Sequence, residues 1–144
     1  MRSELEKMVL DDKIPIMGIC VGMQMLAKSS DEGNFLGLGW IDAKVKLFDS
    51  SKIVFSTKLP HMGWNSIEPK QNVTLLNGFD NESRFYFLHS YYFECVNEND
   101  VIATTDYGIN YASAVNKENI YGIQFHPEKS HSNGVRLLEN FALL

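Results

Sequence analysis

The sequence predicts an α/β fold, a sheet with helices on both faces. Three observations carry that prediction. A nearly unbroken apolar run at residues 14–19 lies between two helical segments, short strand-like segments follow from residue 40 to residue 125, and an amphipathic stretch closes the chain. With 144 residues, 44% hydrophobic and 22% charged, the chain is about one domain's worth and close to the average globular mix. No repeat, low-complexity tract or Pro/Gly/Ser linker divides it, so residues 1–144 read as a single domain.

The elements follow in order. Leu5, Met8 and Val9 stand at i, i+3 and i+4, the stripe of a short amphipathic helix over the first ten residues. After a polar loop, residues 14–19 read as a strand covered on both faces. A second helix fits residues 22–29, and Gly33, Gly37 and Gly39 follow in a loop. Residues 40–48, 53–55 and 64–68 read as short strands or loops, and the aromatic-rich 84–93 as one strand. Three more strands fit 101–105, 111–115 and 120–125, the last two joined by a tight turn at 116–119. In the final helix, Ser132 or Asn133 supplies the cap, and Val135, Leu138 and Phe141 form the buried stripe.

Several function classes are excluded at this stage. Thirteen basic against eighteen acidic side chains give a formal charge of −5. No Lys/Arg block exists, so neither a nucleic acid nor a membrane is the expected partner. The apolar run at 14–27 is too short to span a bilayer and contains Gln24. Glu4, Glu6, Asp11 and Asp12 occupy the part of a secretory leader that should be basic. Cys20 and Cys95 form no C-x-x-C, which argues against a disulfide framework or a zinc knuckle and for a reducing, cytoplasmic compartment. His126 and His131 lack ligand-spaced partners, so neither metal nor cofactor is expected.

Chemistry concentrates at two places. Gly18-Ile19-Cys20-Val21-Gly22, between the buried strand and the next helix, has the spacing of the G-x-S-x-G nucleophile elbow with cysteine in place of serine. Such a turn pushes one side chain out above the sheet and demands small neighbours. The helix N-terminus is expected to favour the Cys20 thiolate, and the Val21 N–H to hold a developing oxyanion. A lone cysteine would read as core; this flanking context makes it a nucleophile. At the end of a later strand stands Gln124-Phe125-His126-Pro127-Glu128. Residues i and i+2 of an extended segment share a side, so Glu128 can orient the His126 ring, and Pro127 keeps the segment extended. Thiol, imidazole and carboxylate are the parts of an acyl-transfer site. Trp64 beside Met62 reads equally as an anchor for another protein or as cover for the core edge.

The segments Pro15-Ile16-Met17-Gly18-Ile19-Cys20-Val21-Gly22-Met23-Gln24 and Gly122-Ile123-Gln124-Phe125-His126-Pro127-Glu128-Lys129-Ser130 resemble the class I (triad) glutamine amidotransferases. Within that family, Pro60-His61-Met62-Gly63-Trp64-Asn65 and His89-Ser90-Tyr91-Tyr92 look like the glutaminase subunits of imidazole glycerol phosphate synthase. The four motifs appear in the family's order over nearly the whole chain. The resemblance implies a flavodoxin-like sheet. It also implies that Cys20 attacks the side-chain amide of glutamine, that His126 moves the protons and that Glu128 holds the imidazole. Gln24, Glu32, His89, Ser90 and Tyr91 match positions that recognise glutamine. Pro60, Met62, Trp64 and Asn65, with Lys129, match the surface that faces a cyclase subunit, a (β/α)8 barrel that receives the ammonia.

Two other outcomes are compatible with the residues: an ammonia donor for amidination of a surface-polysaccharide sugar, and an inactive scaffold subunit. The family's opening strand, helix and second strand with its glycine-rich loop have no counterpart ahead of Cys20. The expected domain is therefore incomplete at its N-terminus and short of one oxyanion donor, worth about 2.7–4 kcal/mol in the barrier.

Overall fold

A computed structural model describes residues 2–144. The chain opens with helix α1 (Arg2–Glu6), which runs into a π turn over Lys7–Asp11. Strand β1 (Ile16–Ile19) leads through Cys20 into helix α2 (Val21–Met25) and the two-residue β2 (Ser29–Ser30). Strands β3 (Ala43–Leu47), β4 (His61–Ser66), β5 (Glu68–Pro69) and β6 (Arg84–His89) come next. They are followed by β7 (Tyr91–Cys95), β8 (Val101–Asp106), β9 (Asn110–Lys117) and β10 (Ile120–Ile123). Helix α3 (His131–Phe141) closes the chain.

The main sheet runs β1-β10-β9-β7-β3-β2, with β8 beside β9 and β5 beside β8. It is mixed: β1 with β10 and β2 with β3 are parallel, and the other pairs are antiparallel. Strand β9 is the hub, meeting β10, β8 and β7. Side chains alternate across it, so Ala114 and Val115 enter different cores. One core holds Leu137 of α3 with Phe85, Phe87, Ile123 and Phe125. The other holds Met23 of α2 and Val9 of the π turn with Val45, Phe93 and Val115. Helices therefore do cover both faces. Strands β4 and β6 form a separate two-stranded sheet.

Several expectations are corrected. The apolar stripe of the first ten residues does not bury: Leu5 and Met8 are exposed, and only Val9 enters the core. Strand β1 is half-buried along its length, not sealed on both faces, and Ile14 is exposed. The second helix is a single turn and a half, ending at Met25. Of the two alternatives left open for residues 53–55, strand or loop, the structure has loop.

The aromatic stretch 84–93 divides at Ser90. Its first half pairs with β4 and its second with β3 and β9. Inward alternation continues across the break through Phe87, His89 and Phe93, all buried, so periodicity could not reveal it. The closing helix starts at His131, after a Ser130 that makes no side-chain cap bond. Its buried stripe is Gly134, Leu137 and Asn140, whereas Val135 and Leu138 are exposed and Phe141 is half-buried. Asn140 is inward because its amide donates to the carbonyls of Leu75 and Asn77, at 3.0 and 2.9 Å. An apolar count does not anticipate that polar lock.

Candidate active site

The chain passes from β1 to α2 through Cys20 at φ 52°, ψ −108°. A residue with a Cβ in such a region costs on the order of 1–3 kcal/mol and persists only where its surroundings hold it. Here the Cys20 N–H donates to the Ile123 carbonyl at 2.8 Å, and its own carbonyl accepts the Gln24 N–H at 3.1 Å. The two flanking glycines are not equivalent. A Cβ on Gly18 would lie 2.5 Å from the Gly22 carbonyl carbon, whereas one on Gly22 would meet nothing within 4 Å. Only Gly18 is demanded by space.

Around the Cys20 sulfur lie the Leu88 carbonyl at 3.9 Å and the Gln124 amide nitrogen at 3.6 Å. Burial pushes the thiol pKa up; the Val21 N–H and the Gln124 amide pull the other way, and the charges of Glu128 and Glu32 push up again. Burial prevails, so the expectation of a resting thiolate is corrected: the thiol is held protonated.

His126 follows the end of β10 in extended conformation, its N–H donating to the Tyr86 carbonyl at 2.8 Å. Ser130 steadies it, donating to the His126 carbonyl at 2.6 Å while accepting the Tyr86 N–H at 3.0 Å. Glu128 lies in a 3-10 turn begun by Pro127, and that turn, not i,i+2 alternation in a strand, brings the carboxylate to the ring. The Glu128 Oε1 is 2.7 Å from His126 Nδ1. A carboxylate only accepts, so Nδ1 donates its proton to Glu128, and Nε2 is a lone pair in the neutral ring. That Nε2 is buried with no hydrogen-bond partner.

The residues matched to glutamine recognition divide. Gln24 donates from Nε2 to the Tyr91 carbonyl and to Gln124 Oε1, each at 3.2 Å. Glu32 is exposed, its N–H held by the Ser30 hydroxyl at 3.1 Å, and its charge is felt at the thiol. His89 faces the core, with Nδ1 2.7 Å from the Tyr91 carbonyl and Nε2 3.1 Å from the Tyr111 hydroxyl, leaving neither nitrogen for a ligand. Ser90 sits at the break between β6 and β7, its carbonyl accepting the Phe48 N–H at 3.2 Å. Tyr91 contributes its carbonyl. Gln124, fully buried between the two parts of the site, is missing from the residues singled out by sequence, although a glutamine ending an apolar strand was a usable signal. No sequence pattern marks the Leu88 carbonyl.

Met62 and Trp64, 59% and 40% exposed, point out from one face of β4. Opposite them in register stand Leu88 and Tyr86. Trp64 meets Tyr86 edge-on at 6.2 Å and lies against His131 at 5.3 Å, while Lys129 Nζ is 5.6 Å above the Tyr86 ring. Pro60 is half-buried at the start of this strand. Asn65 turns away from the face, donating to the Asp106 carbonyl at 2.9 Å and accepting the Ser66 N–H at 2.8 Å. Since Leu88 also touches the thiol sulfur through its carbonyl, this apolar face adjoins the Cys20 site. Among the described residues, no three His, Cys, Asp or Glu could hold a metal ion, and no helix is long and apolar enough to cross a membrane.

The family model Glutamine amidotransferase class-I matches residues 2–144. The chain is 53% identical over 143 residues to the imidazole glycerol phosphate synthase subunit HisH of Leptospira borgpetersenii, and 49% identical over 142 residues to that of Bdellovibrio bacteriovorus. Each match covers 99% of this chain and 70% of the relative. A glutamine amidotransferase structure from Thermotoga maritima shares the fold with a TM-score of 0.65 at 21% identity, covering 98% of this chain and 52% of that one. A second glutamine amidotransferase structure gives 0.66 at 20% identity, over 97% and 67%. The chain thus spans about 70% of the length of these curated relatives and about half to two thirds of these structures. Sequence and fold agree, and the chain belongs to the class I glutamine amidotransferases, alongside the HisH subunits of imidazole glycerol phosphate synthase.

Proposed function

We propose that this chain is the glutaminase subunit of an imidazole glycerol phosphate synthase, hydrolysing glutamine to glutamate and ammonia for histidine biosynthesis. The observation that carries the reading is the His126 imidazole, fixed by Glu128 on one nitrogen and left with an unpartnered lone pair on the other. The relatives' shared name supplies the pathway. Because burial keeps the Cys20 thiol protonated, attack needs a base. His126 Nε2 takes the thiol proton as Sγ bonds to the amide carbon, and the Val21 N–H stabilises the oxyanion. Collapse breaks the C–N bond, and the proton on Nε2 leaves with ammonia. Water then attacks the thioester, giving its proton to Nε2, and glutamate departs as Sγ recovers a proton.

The Met62–Trp64 face, with Lys129 beside it, is the proposed docking surface for the (β/α)8 cyclase subunit in a cytoplasmic heterodimer. Its nearness to the thiol favours direct passage of ammonia, which would otherwise protonate and diffuse away. The test is Cys20→Ser in the full chain with its cyclase partner. Glutamate release is expected to fall by on the order of 10⁴-fold or more; retained hydrolysis overturns the assignment.

A further inference from the structure

A set of buried side chains that the reaction scheme does not use joins β4 to the thiol site. Each link has an assignable direction. The Tyr91 carbonyl can only accept, so His89 carries its proton on Nδ1 and donates across 2.7 Å. Burial lowers the His89 pKa to about 4, so the ring is neutral near pH 7 and Nε2 is a lone pair. The Tyr111 hydroxyl, 3.1 Å away, therefore donates to it. Its oxygen is then left to accept from His61 Nδ1, also at 3.1 Å. His61 is likewise kept neutral by burial, with a pKa of about 3, so its Nε2 accepts the Asn65 amide N–H at 3.3 Å. Asn65 cannot flip without losing the Ser66 N–H on its oxygen and the Asp106 carbonyl on its nitrogen.

At the other end, the Tyr91 carbonyl also accepts from Gln24 Nε2, whose second N–H goes to Gln124 Oε1. Gln124 in turn donates to the Cys20 sulfur. Both Gln24 N–H groups are spent, and its amide oxygen has no hydrogen bond among the described residues. That oxygen is a free acceptor on a side chain joined to the thiol through Gln124, suited to an N–H of the substrate.

We propose that Tyr111 is a positioning residue for glutamine, closing a one-way hydrogen-bond chain from Asn65 through His61, Tyr111 and His89 to the Tyr91 carbonyl, which sets the Gln24 amide toward the substrate. This rests on the glutaminase reading and adds to it a link between the proposed docking strand and the substrate pocket. Tyr111 is fully buried, and its ring packs edge-on against Phe48 at 5.1 Å, so Tyr111→Phe keeps the packing and removes only the hydroxyl.

The experiment uses the full chain with its cyclase partner. In Tyr111→Phe, KM for glutamine is expected to rise about tenfold, the worth of one hydrogen bond, with kcat within about twofold. Imidazole ¹⁵N NMR of the unaltered protein is expected to show both His61 and His89 as neutral Nδ1–H tautomers. The variant should shift the His89 Nε2 resonance downfield as it loses its donor. An Nε2–H tautomer at either ring overturns the chain, and an unchanged KM overturns the positioning role. Absence of glutamine hydrolysis in the unaltered complex would instead strike the functional reading, with the tautomers still deciding whether the chain exists.

Discussion

Three imidazoles surround β6, and the chain treats them in opposite ways. His61 and His89 are in the core, each with both nitrogens hydrogen-bonded, and His61 is stacked on Phe87 at 4.7 Å and Tyr107 at 3.9 Å. His126 has one nitrogen on Glu128, and the other is buried and unbonded. An unmet buried polar atom costs about 1–3 kcal/mol, so the fold gives up stability at His126 that it recovers at the other two. Residue type does not separate reactive from structural histidine here. The state of the second ring nitrogen does: bonded in His61 and His89, unbonded in His126.

The contrast can be broken in three ways. The largest effect is expected for His126→Asn, which removes the proton carrier. Glutamine hydrolysis by the complex should fall by on the order of 10⁴-fold or more, while the thermal midpoint barely moves, since the ring's one side-chain hydrogen bond is to Glu128 at the surface. Phe87→Ala attacks the opposite pole. The ring is fully buried between His61 and Phe125, and its loss should cost about 3–5 kcal/mol of folding free energy, read from urea denaturation.

The third effect is graded with pH. The folded pKa values of His61 and His89, about 3 and about 4, lie below the ordinary 6.5, so the unfolded chain binds the extra protons. Stability contributed by these rings is full above pH 6.5 and falls as pH drops toward 4, by at most about 1.4 kcal/mol per pH unit for each ring. Urea midpoints between pH 4 and 7 should show that slope, and His61→Gln should remove one ring's share.

What was legible in the sequence was local. Gly18 to Gly22 and Gln124 to Glu128 each occupy a few consecutive residues, so the elbow spacing, paired with the second motif, singled out Cys20 and His126 as candidates. Features set by distant partners were not legible. The division of residues 84–93 between two sheets depends on His61–Ser66 on one side and Ala43–Leu47 on the other. His89 looked like a substrate contact because the motif around it resembles one, yet Tyr111, 22 positions away, draws its ring inward. The protonated thiol follows from burial, which no run of neighbouring residues encodes.

The hydrogen bond from the Cys20 N–H to the Ile123 carbonyl has a bearing on how the protein comes into being. The turn at Cys20 is clamped by a strand made long after it, and Gln124, which reaches the sulfur, lies 104 positions further along. During translation Cys20 waits, without its turn or its amide neighbour, until the hundred or so residues that follow it have been made. A nascent chain released before residue 124 carries the thiol and lacks the site. The assembled site is thereby confined to polypeptides whose synthesis has passed residue 124.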